Sequence, residues 1–512
     1  MNFLRKHYLI LIILSAALVL RLYHLPATMT FLEDEGRDLL IMYRMIDTGR
    51  PVLLGPQTST GNMYLGPLYY YIVTPALFLA RMNPLGPVVF IALTGVLTVW
   101  LLYLFASKWF GKFAGISAAL MYAVLPLPVS FTRNSWNPNL APIFSLLMLW
   151  YLVKIIQDKQ YSFKNFFLLG ILAGALVQMH YMALLFLLGI GLTLIIYLRR
   201  TIPSLLRGIL YAGLGFALSL LPFIIFEIRN DFVNTHAITR FIVAREEHNI
   251  RYTLPAQLYL DKVSFTTTRL FSSQFGRDAL TLDPARRLIT LSVILILLFE
   301  LIASLRKHDH SSKIFRLLFL IFVIPLALTG IYQENIHLHY LGFFFPLIYL
   351  LVAGTMAQNS VTRWLSSSII LMLILYSSPQ LLSYLSSSGT NQVIRAQEVA
   401  NYIVKESAGE PYNMVSASGN PTTPYLYFTN ISSHPPITTL AANVFIICQG
   451  NECGDADINT PFIFMTGPGH PTIEKYLGHP LMYYFEGERK LISNEHVSHG
   501  AWVAKINVKI EP

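Results

Sequence analysis

The sequence predicts an all-α polytopic membrane protein with a small α+β domain at its C-terminal end. Hydrophobic residues make up 54% of the 512 residues, and the mean hydropathy is +0.53. They fall into runs near the roughly 20 residues that a helix needs to cross a bilayer. Beyond residue 385 these runs give way to short β-type runs punctuated by Pro and Gly. This pattern excludes a large soluble protein.

About eleven membrane-spanning helices are predicted. The first run follows Arg5 and Lys6 and lacks a small-residue cleavage site, so it is interpreted as a helix and not as a signal peptide. Residues 65–80 are apolar but short and contain Pro67 and Pro75; they either span or lie in the interface, and the interface is favoured. The predicted spans lie near 8–25, 85–107, 113–130, 139–156, 165–180, 182–198, 207–227, 286–305, 314–332, 339–357 and 364–385.

Charge predicts the orientation of these helices. The net charge is +10, but the basic residues form short clusters between apolar runs, which is typical of a membrane protein and not of a nucleic-acid-binding one. If 65–80 lies in the interface, all of these clusters fall on one face, which makes the N-terminus cytoplasmic. Residues 26–84 are then a first outer loop with juxtamembrane helices, and 228–285 are a long outer loop. The basic clusters are Arg5-Lys6, Lys108 to Lys112, Arg199-Arg200 and Arg306-Lys307.

The chain is therefore expected to comprise a transmembrane catalytic domain, 1–385, and a soluble extracytoplasmic domain, 386–512. The second domain is expected to contain a helix over 392–405 and strands near 443–448 and 461–465. Its cysteines, Cys448 and Cys453, are the only two in the chain. They either form a disulfide or remain free thiols, because spacing alone does not fix connectivity.

The stretch from Phe31 to Asp38 holds four carboxylates and one arginine, in a protein that is only 12% charged. One interpretation is a solvated loop in which an acidic residue caps the helix that follows. The other is an acid/base site that faces a lipid-borne substrate. Asp38, Asp47 and Arg50 are interpreted as ordinary surface groups on an amphipathic helix.

Other polar residues at helix ends fall on the same predicted outer face, which indicates a site that opens outward. His180 is interpreted either as a site residue or as a core histidine, and Arg240 either as a site residue or as an anchor to lipid headgroups. His337 and His339, two positions apart, do not share a helix face, which disfavours a two-histidine metal site. The residues in question are Glu33, Asp34, Glu35, Arg133, Asn134, Asn137, His180, Tyr181, Arg240, Arg245, Glu246, Glu247, His248, Glu334, His337, His339 and Tyr340.

This combination suits sugar transfer. A carboxylate can accept the proton of an attacking hydroxyl, and an arginine or histidine can stabilise a departing phosphate. An outer-facing site has no nucleotide supply, so the activated sugar is expected on a polyprenyl phosphate in the membrane. The aromatic run from Tyr64 to Tyr71 either lines a groove for that lipid or forms an aromatic belt.

The order of these features resembles the C-type membrane glycosyltransferases. In particular, it is similar to glycosyltransferase family 39, the protein O-mannosyltransferase and aminoarabinose-transferase-like group. The resemblance covers residues 1 to about 385. It rests on Asp34-Glu35 after the first span, Gly49-Arg50-Pro51, Gly66-Pro67-Leu68, the loop from Pro126 to Arg133, and His339-Tyr340 before a helix with Pro346.

The resemblance implies a polyprenyl-phosphate-sugar donor, a non-cytoplasmic active site and an inverting displacement at the sugar carbon. Asp34 matches the acidic residue that acts as base or positions the acceptor, and Glu35 completes the pair. Arg240 matches an arginine that contacts the lipid phosphate. His180 stands where some relatives carry lysine, and Tyr340 where they carry tyrosine.

The second outer loop departs from the family pattern. Relatives often carry an aspartate before its proline, and this chain has Asn137-Pro138. Asparagine is a poorer metal ligand, so no cofactor is assigned, although a divalent metal is compatible with the sequence.

The first hypothesis is therefore a glycosyltransferase acting on a glycan, lipid or protein acceptor. The alternative is a transporter or flippase of lipid-linked saccharides, but no internal repeat is found. A third hypothesis is a membrane assembly protein whose outer domain binds a partner.

Overall fold

The computed structural model describes most of the chain as two compact units. The first comprises Met1–Tyr23, Val52–Tyr69 and Val89–Ser386, and the second comprises His24–Pro51, Tyr70–Val88 and Ser387–Pro512. The second unit thus groups the C-terminal region with segments from around the predicted first outer loop. The described residues are 2–58, 63–157, 159–243, 256–275, 284–332, 334–357, 360–417, 422–432, 434–437, 439–459, 462–465, 482–485 and 488–509.

The first unit is built from helices, most of them apolar. Two helices have residues in both units: α4 (Leu68–Leu79) and α5 (Leu85–Phe110). Its other helices are α1 (Asn2–Leu22), α6 (Lys112–Val124), α7 (Pro126–Phe131), α8 (Ala141–Ile156), α9 (Phe163–Met179), α10 (Ala183–Leu198), α11 (Ile202–Ser219), α12 (Leu221–Arg229), α13 (Val233–Val243), α14 (Ala256–Ser272), α15 (Pro284–Leu305), α16 (His310–Leu328), α17 (Phe345–Gly354) and α18 (Ser360–Ser386).

Seven helices of the described residues are long and apolar enough to cross a membrane, and five more are apolar but shorter. Each of the predicted spans overlaps one of these twelve, so the chain is a multi-pass membrane protein. The one apolar helix among the twelve that matches no predicted span is α4. Its 12 residues extend about 18 Å, which is much less than the thickness of the bilayer core. The seven are Leu85–Phe110, Asn137–Ile156, Ile202–Ser219, Pro284–Leu305, His310–Ile331, Leu338–Ala357 and Ser360–Ser386.

Two predicted spans are interrupted. The run 113–130 breaks at Leu125, which is extended (ψ 145°), and α7 begins at Pro126. Proline disfavours a helical residue before it and lacks the N–H that a continuous helix needs. The run 207–227 also divides, at Leu220 (ψ 6°), after which α12 begins with a proline in its first turn. The predicted long outer loop, 228–285, contains α13 and α14; its residues 244–255 and 276–283 lie outside the described part.

The second unit combines helices with a mixed sheet. Its helices are α2 (Leu25–Thr28), α3 (Glu33–Thr48), α19 (Gln392–Ser407), α20 (Thr423–Ile431) and α21 (Asp455–Asn459), and its strands are β1 (Tyr412–Ser416), β2 (Asn443–Gln449), β3 (Phe462–Met465), β4 (Met482–Phe485), β5 (Arg489–Ser498) and β6 (Ala501–Val508).

The larger sheet has the order β1-β2-β6-β5, in which β1 pairs with β2 in parallel and the other pairs are antiparallel. Strands β3 and β4 form a separate antiparallel pair. Val444, Ile446 and Ile506 are fully buried in the core of the larger sheet. Cys448 and Cys453 form a disulfide beside this core. The predicted α+β character of the C-terminal region is confirmed.

Candidate active site

Helix α3 begins inside the acidic stretch, and its first turn carries Glu33, Asp34 and Glu35. Negative charge at this position is favourable because the first backbone N–H groups of a helix are unpaired and point toward it. The carboxylate of Glu35 accepts hydrogen bonds from the Thr30 hydroxyl (2.5 Å) and from the backbone N–H of Leu32 (3.1 Å). Glu35 therefore caps the helix, as the first interpretation of this stretch expects, and burial raises its pKa.

Asp34 has a different environment. Its side chain is 40% exposed, and its Oδ1 receives Nη1 of Arg37 at 2.8 Å. The same guanidinium donates Nη2 (2.8 Å) and Nε (3.0 Å) to Oδ1 of Asp38. Arg37 thus joins two carboxylates, of which Asp34 is open to solvent. We call Asp34, Glu35, Arg37, Asp38 and Tyr70 the acidic cluster.

The interpretation of Asp38 as an ordinary surface group is wrong. Its side chain is 1% exposed, and its Oδ1 also accepts a hydrogen bond from the Tyr70 hydroxyl at 2.9 Å. Burial raises the pKa of Asp38 to about 6, although the charge of Arg37 opposes this shift. The spacing held a signal for this arrangement, because Asp34, Arg37 and Asp38 at i, i+3 and i+4 share one helix face.

Two predicted site residues of the first unit instead complete helix ends. Arg133 is fully buried, and its guanidinium donates to the backbone carbonyls of Leu20, Arg21 and Tyr23 at 2.8–3.1 Å. Asn137 donates its amide to the last carbonyl of α9, that of Met179, at 2.5 Å. The carbonyls of Leu20, Arg21 and Met179 lie in the last turns of α1 and α9, where backbone carbonyls lack a partner within the helix, so both geometries favour a capping role over the predicted contact with substrate.

The structure brings together three other predicted residues, His180, His339 and Tyr340. The ring of His180 stacks on that of Tyr340 with centroids 4.0 Å apart, and His339 lies 4.2 Å from Trp136. His337 is next to them, 5.6 Å from His339. We call these five residues the histidine cluster; Trp136 was not recognised in the sequence.

His180 is held in one tautomer by a backbone hydrogen bond. Its Nδ1 accepts the backbone N–H of Met182 at 3.1 Å, which leaves Nε2 as the protonated nitrogen. His180 therefore offers one hydrogen-bond donor and no positive charge.

Arg240 is exposed near the end of α13. The start of this helix is fixed by Glu227, whose carboxylate accepts the backbone N–H groups of Asn234 (3.1 Å) and Thr235 (2.7 Å). The amide of Asn234 in turn bonds both backbone groups of Tyr64. Arg240 is thus an exposed cation on an anchored helix.

The aromatic run from Tyr64 to Tyr71 contributes to the interior of the protein. Tyr64, Tyr69 and Tyr70 are buried, and the Tyr69 hydroxyl lies 2.9 Å from Oγ of Ser135. Among the described residues, no three His, Cys, Asp or Glu side chains are placed to hold a metal ion.

Residues 65–226 match the family model of the dolichyl-phosphate-mannose-protein mannosyltransferases. No curated protein matches the chain by sequence. Its structure is similar to that of ArnT from Cupriavidus metallidurans bound to undecaprenyl phosphate, with a TM-score of 0.60 and 12% identity over 98% of both chains. The apo form of ArnT gives a TM-score of 0.60 and 11% identity over 97% of both chains.

The chain has the GT-C fold. The predicted resemblance to C-type glycosyltransferases is therefore confirmed, as is the predicted fold class. A further similar structure is the Archaeoglobus fulgidus oligosaccharyltransferase tethered with an acceptor peptide. It has a TM-score of 0.50 and 12% identity, over 85% of this chain and 64% of that chain.

Within this GT-C fold, the family match and the candidate residues overlap only in part. The matched segment includes Tyr70, Arg133, Asn137 and His180. The acidic residues of α3, Arg240, and His339-Tyr340 lie outside it, so their assignment rests on the geometry described above.

Proposed function

We propose that this protein is an integral membrane glycosyltransferase that transfers a sugar from a polyprenyl-phosphate donor to an acceptor on the outer face of the membrane. One observation carries the proposal: in a GT-C fold, α3 presents a half-exposed carboxylate, Asp34, that is fixed by an arginine. The fold is that of a protein solved with undecaprenyl phosphate, which supports a lipid-linked donor. A hexose or a pentose is transferred to a glycan, lipid or protein hydroxyl or amine.

Asp34 is the proposed base. As the acceptor attacks the anomeric carbon, its proton passes to an oxygen of the Asp34 carboxylate. The new bond joins the acceptor atom to that carbon, and the bond from the carbon to the phosphate oxygen breaks. The polyprenyl phosphate leaves with the electron pair, and this single displacement inverts the configuration of the sugar carbon. Arg37 orients Asp34, and Glu35 fixes the turn from which Asp34 projects.

The donor phosphate needs positive charge or hydrogen-bond donors near it. These interactions with the phosphate strengthen as negative charge develops on it during the reaction. The exposed guanidinium of Arg240 supplies the charge. The Nε2 proton of His180, with His339 and Tyr340 beside it, supplies a neutral donor. We assign Arg133 and Asn137 to the support of these elements, through the helix ends that they cap.

The proposal places the N-terminus in the cytoplasm and the C-terminal domain outside it. The distribution of basic clusters supports this orientation. The disulfide between Cys448 and Cys453 supports it as well, because disulfides persist in oxidising compartments and are rare in the cytosol.

Mass spectrometry of acceptor fractions, from membranes with and without the gene, tests the proposal. A mass increase of one hexose or pentose is expected only with the gene. The transfer rate of purified Asp34→Asn protein should fall at least about a hundredfold, since general bases contribute that much or more. The control is Asp47→Asn, at an exposed carboxylate on the same helix, which should keep the wild-type transfer rate. Substrate movement across the membrane without a covalent product would instead identify a transporter.

A further inference from the structure

Helix α20 of the C-terminal region packs directly on the acidic helix α3, within the second unit. The contact is closest at Gly36, two residues after Asp34. A Cβ atom at Gly36 would lie 2.6 Å from the backbone nitrogen of Pro424 and 2.7 Å from the carbonyl carbon of Thr423. Real Cβ atoms do not approach backbone so closely. The two helices therefore meet at a distance that only glycine allows.

A hydrogen bond fixes the same contact. The hydroxyl of Thr423 donates to the backbone carbonyl of Glu33 at 2.8 Å. Glu33 immediately precedes Asp34, and Thr423 is buried. This bond therefore holds the backbone at the position from which the proposed base projects.

The segment that leads into α3 is held by the same region. Phe31 is buried and packs against the rings of Tyr427 (6.2 Å between centroids) and Phe428 (5.8 Å), both on α20. Its backbone N–H donates to the side chain of Gln392, on α19, at 2.7 Å. The Tyr427 hydroxyl donates to the carbonyl of Met82 at 2.6 Å. Residues on both sides of Asp34 are thus fixed by α19 and α20.

We infer that α20 is a positioning element for the reaction: through Thr423 and the glycine contact at Gly36, it sets the location and orientation of Asp34. The inference rests on the proposed function, and it gives the C-terminal domain a positioning role in catalysis beyond any binding of acceptor. A base must lie within hydrogen-bond reach of the proton that it accepts. A displacement of about 1 Å costs on the order of a hundredfold in rate.

The first test is Gly36→Ala in the full chain, purified in lipid nanodiscs. Its added methyl group must displace α20 from α3. Undecaprenyl phosphates carrying mannose, glucose or the pentose arabinose serve as probe donors, and release of undecaprenyl phosphate is followed with an acceptor extract. We expect kcat to fall about a hundredfold with little change in the donor KM. The matched control is Gly213→Ala in α11, where a Cβ meets no atom within 4 Å.

The second test keeps the packing and removes only the hydrogen bond. Thr423→Val deletes the hydroxyl that reaches Glu33, while Thr423→Ser retains it. We expect kcat to fall about tenfold in the first variant and to stay near wild type in the second. Amide hydrogen exchange over residues 33–40 gives a readout independent of activity. It should quicken in Gly36→Ala and Thr423→Val, and not in Gly213→Ala or Thr423→Ser.

The outcomes separate the two proposals. If wild-type protein releases no undecaprenyl phosphate and forms no product with any donor, the proposed function is refuted. If wild type is active and Gly36→Ala and Thr423→Val keep its kcat, the positioning role is refuted. Loss of activity with unchanged exchange over 33–40 refutes it too, because the effect would then not pass through α3.

Discussion

The hydroxyl of Tyr70 donates a 2.9 Å hydrogen bond to Oδ1 of Asp38, whose carboxylate is buried. Arg37 donates to the same oxygen. The ionised form of Asp38 is thus stabilised by one neutral and one charged donor, against the burial that raises its pKa to about 6. When Asp38 is ionised, it fixes the guanidinium that also reaches Asp34.

Transfer should therefore depend on the ionisation of Asp38. As pH falls through about 6, Asp38 takes up a proton, Arg37 loses this partner, and kcat/KM should decline. Tyr70→Phe removes a hydrogen bond that favours the ionised form, so the acidic midpoint should move to higher pH. The pH profile of kcat/KM measures this shift. Tyr8→Phe, on an exposed tyrosine, is the control, and an identical midpoint in wild type and Tyr70→Phe would contradict the coupling.

Glu35 and Asp34 should respond differently to substitution. Glu35 caps α3 through Thr30 and Leu32, so Glu35→Ala should lower stability by about 1 kcal/mol. Glu35→Gln keeps one acceptor oxygen and should retain transfer within a few-fold. Thermal unfolding and kcat, measured per folded molecule, check both statements. A loss in Glu35→Gln as large as in Asp34→Asn would place Glu35 in the reaction itself.

Arg133 should matter for folding and not for donor affinity. Arg133→Met would leave the buried carbonyls of Leu20, Arg21 and Tyr23 without their donor, at about 1–3 kcal/mol for each. We expect a markedly lower yield and unfolding temperature, with an unchanged donor KM in the molecules that fold. Arg199→Met, at an exposed arginine, should be neutral. A raised KM at normal stability would restore Arg133 to the donor site.

Arg240 should show the opposite behaviour. Because its side chain is exposed, Arg240→Ala should leave the unfolding temperature unchanged and raise the donor KM about tenfold, as expected for one charge-assisted contact. Arg240→Lys should recover part of the affinity. Arg229→Ala, an exposed arginine at the end of α12, provides the comparison. Equal effects at both positions would indicate a general attraction to anionic lipid.

The membrane helices could be predicted from the sequence because the bilayer imposes their length and apolar character. The helix that begins at residue 392, the strand that begins at residue 443 and the acidic turn after the first span could also be predicted from the sequence. These are local patterns, each readable within about 20 residues.

The roles of particular polar residues were harder to predict. Arg133, Asn137 and Asp38 have the chemistry of site residues or surface groups, and the sequence does not show which carbonyl or hydroxyl each will meet. Asp38 depends on Tyr70, 32 positions away, and Arg133 on carbonyls more than 100 positions away. Such partners are set by packing, which no local pattern records.

The bond between Thr423 and Glu33 joins residues 390 positions apart, and this separation has a consequence for biosynthesis. At 5–20 residues per second, a ribosome needs on the order of a minute to proceed from the first to the second. A nascent chain therefore carries its acidic helix long before α20 exists. Premature termination before residue 423 should yield a protein that inserts but lacks the contact proposed to position Asp34, and under the proposed function such chains should not consume lipid-linked sugar.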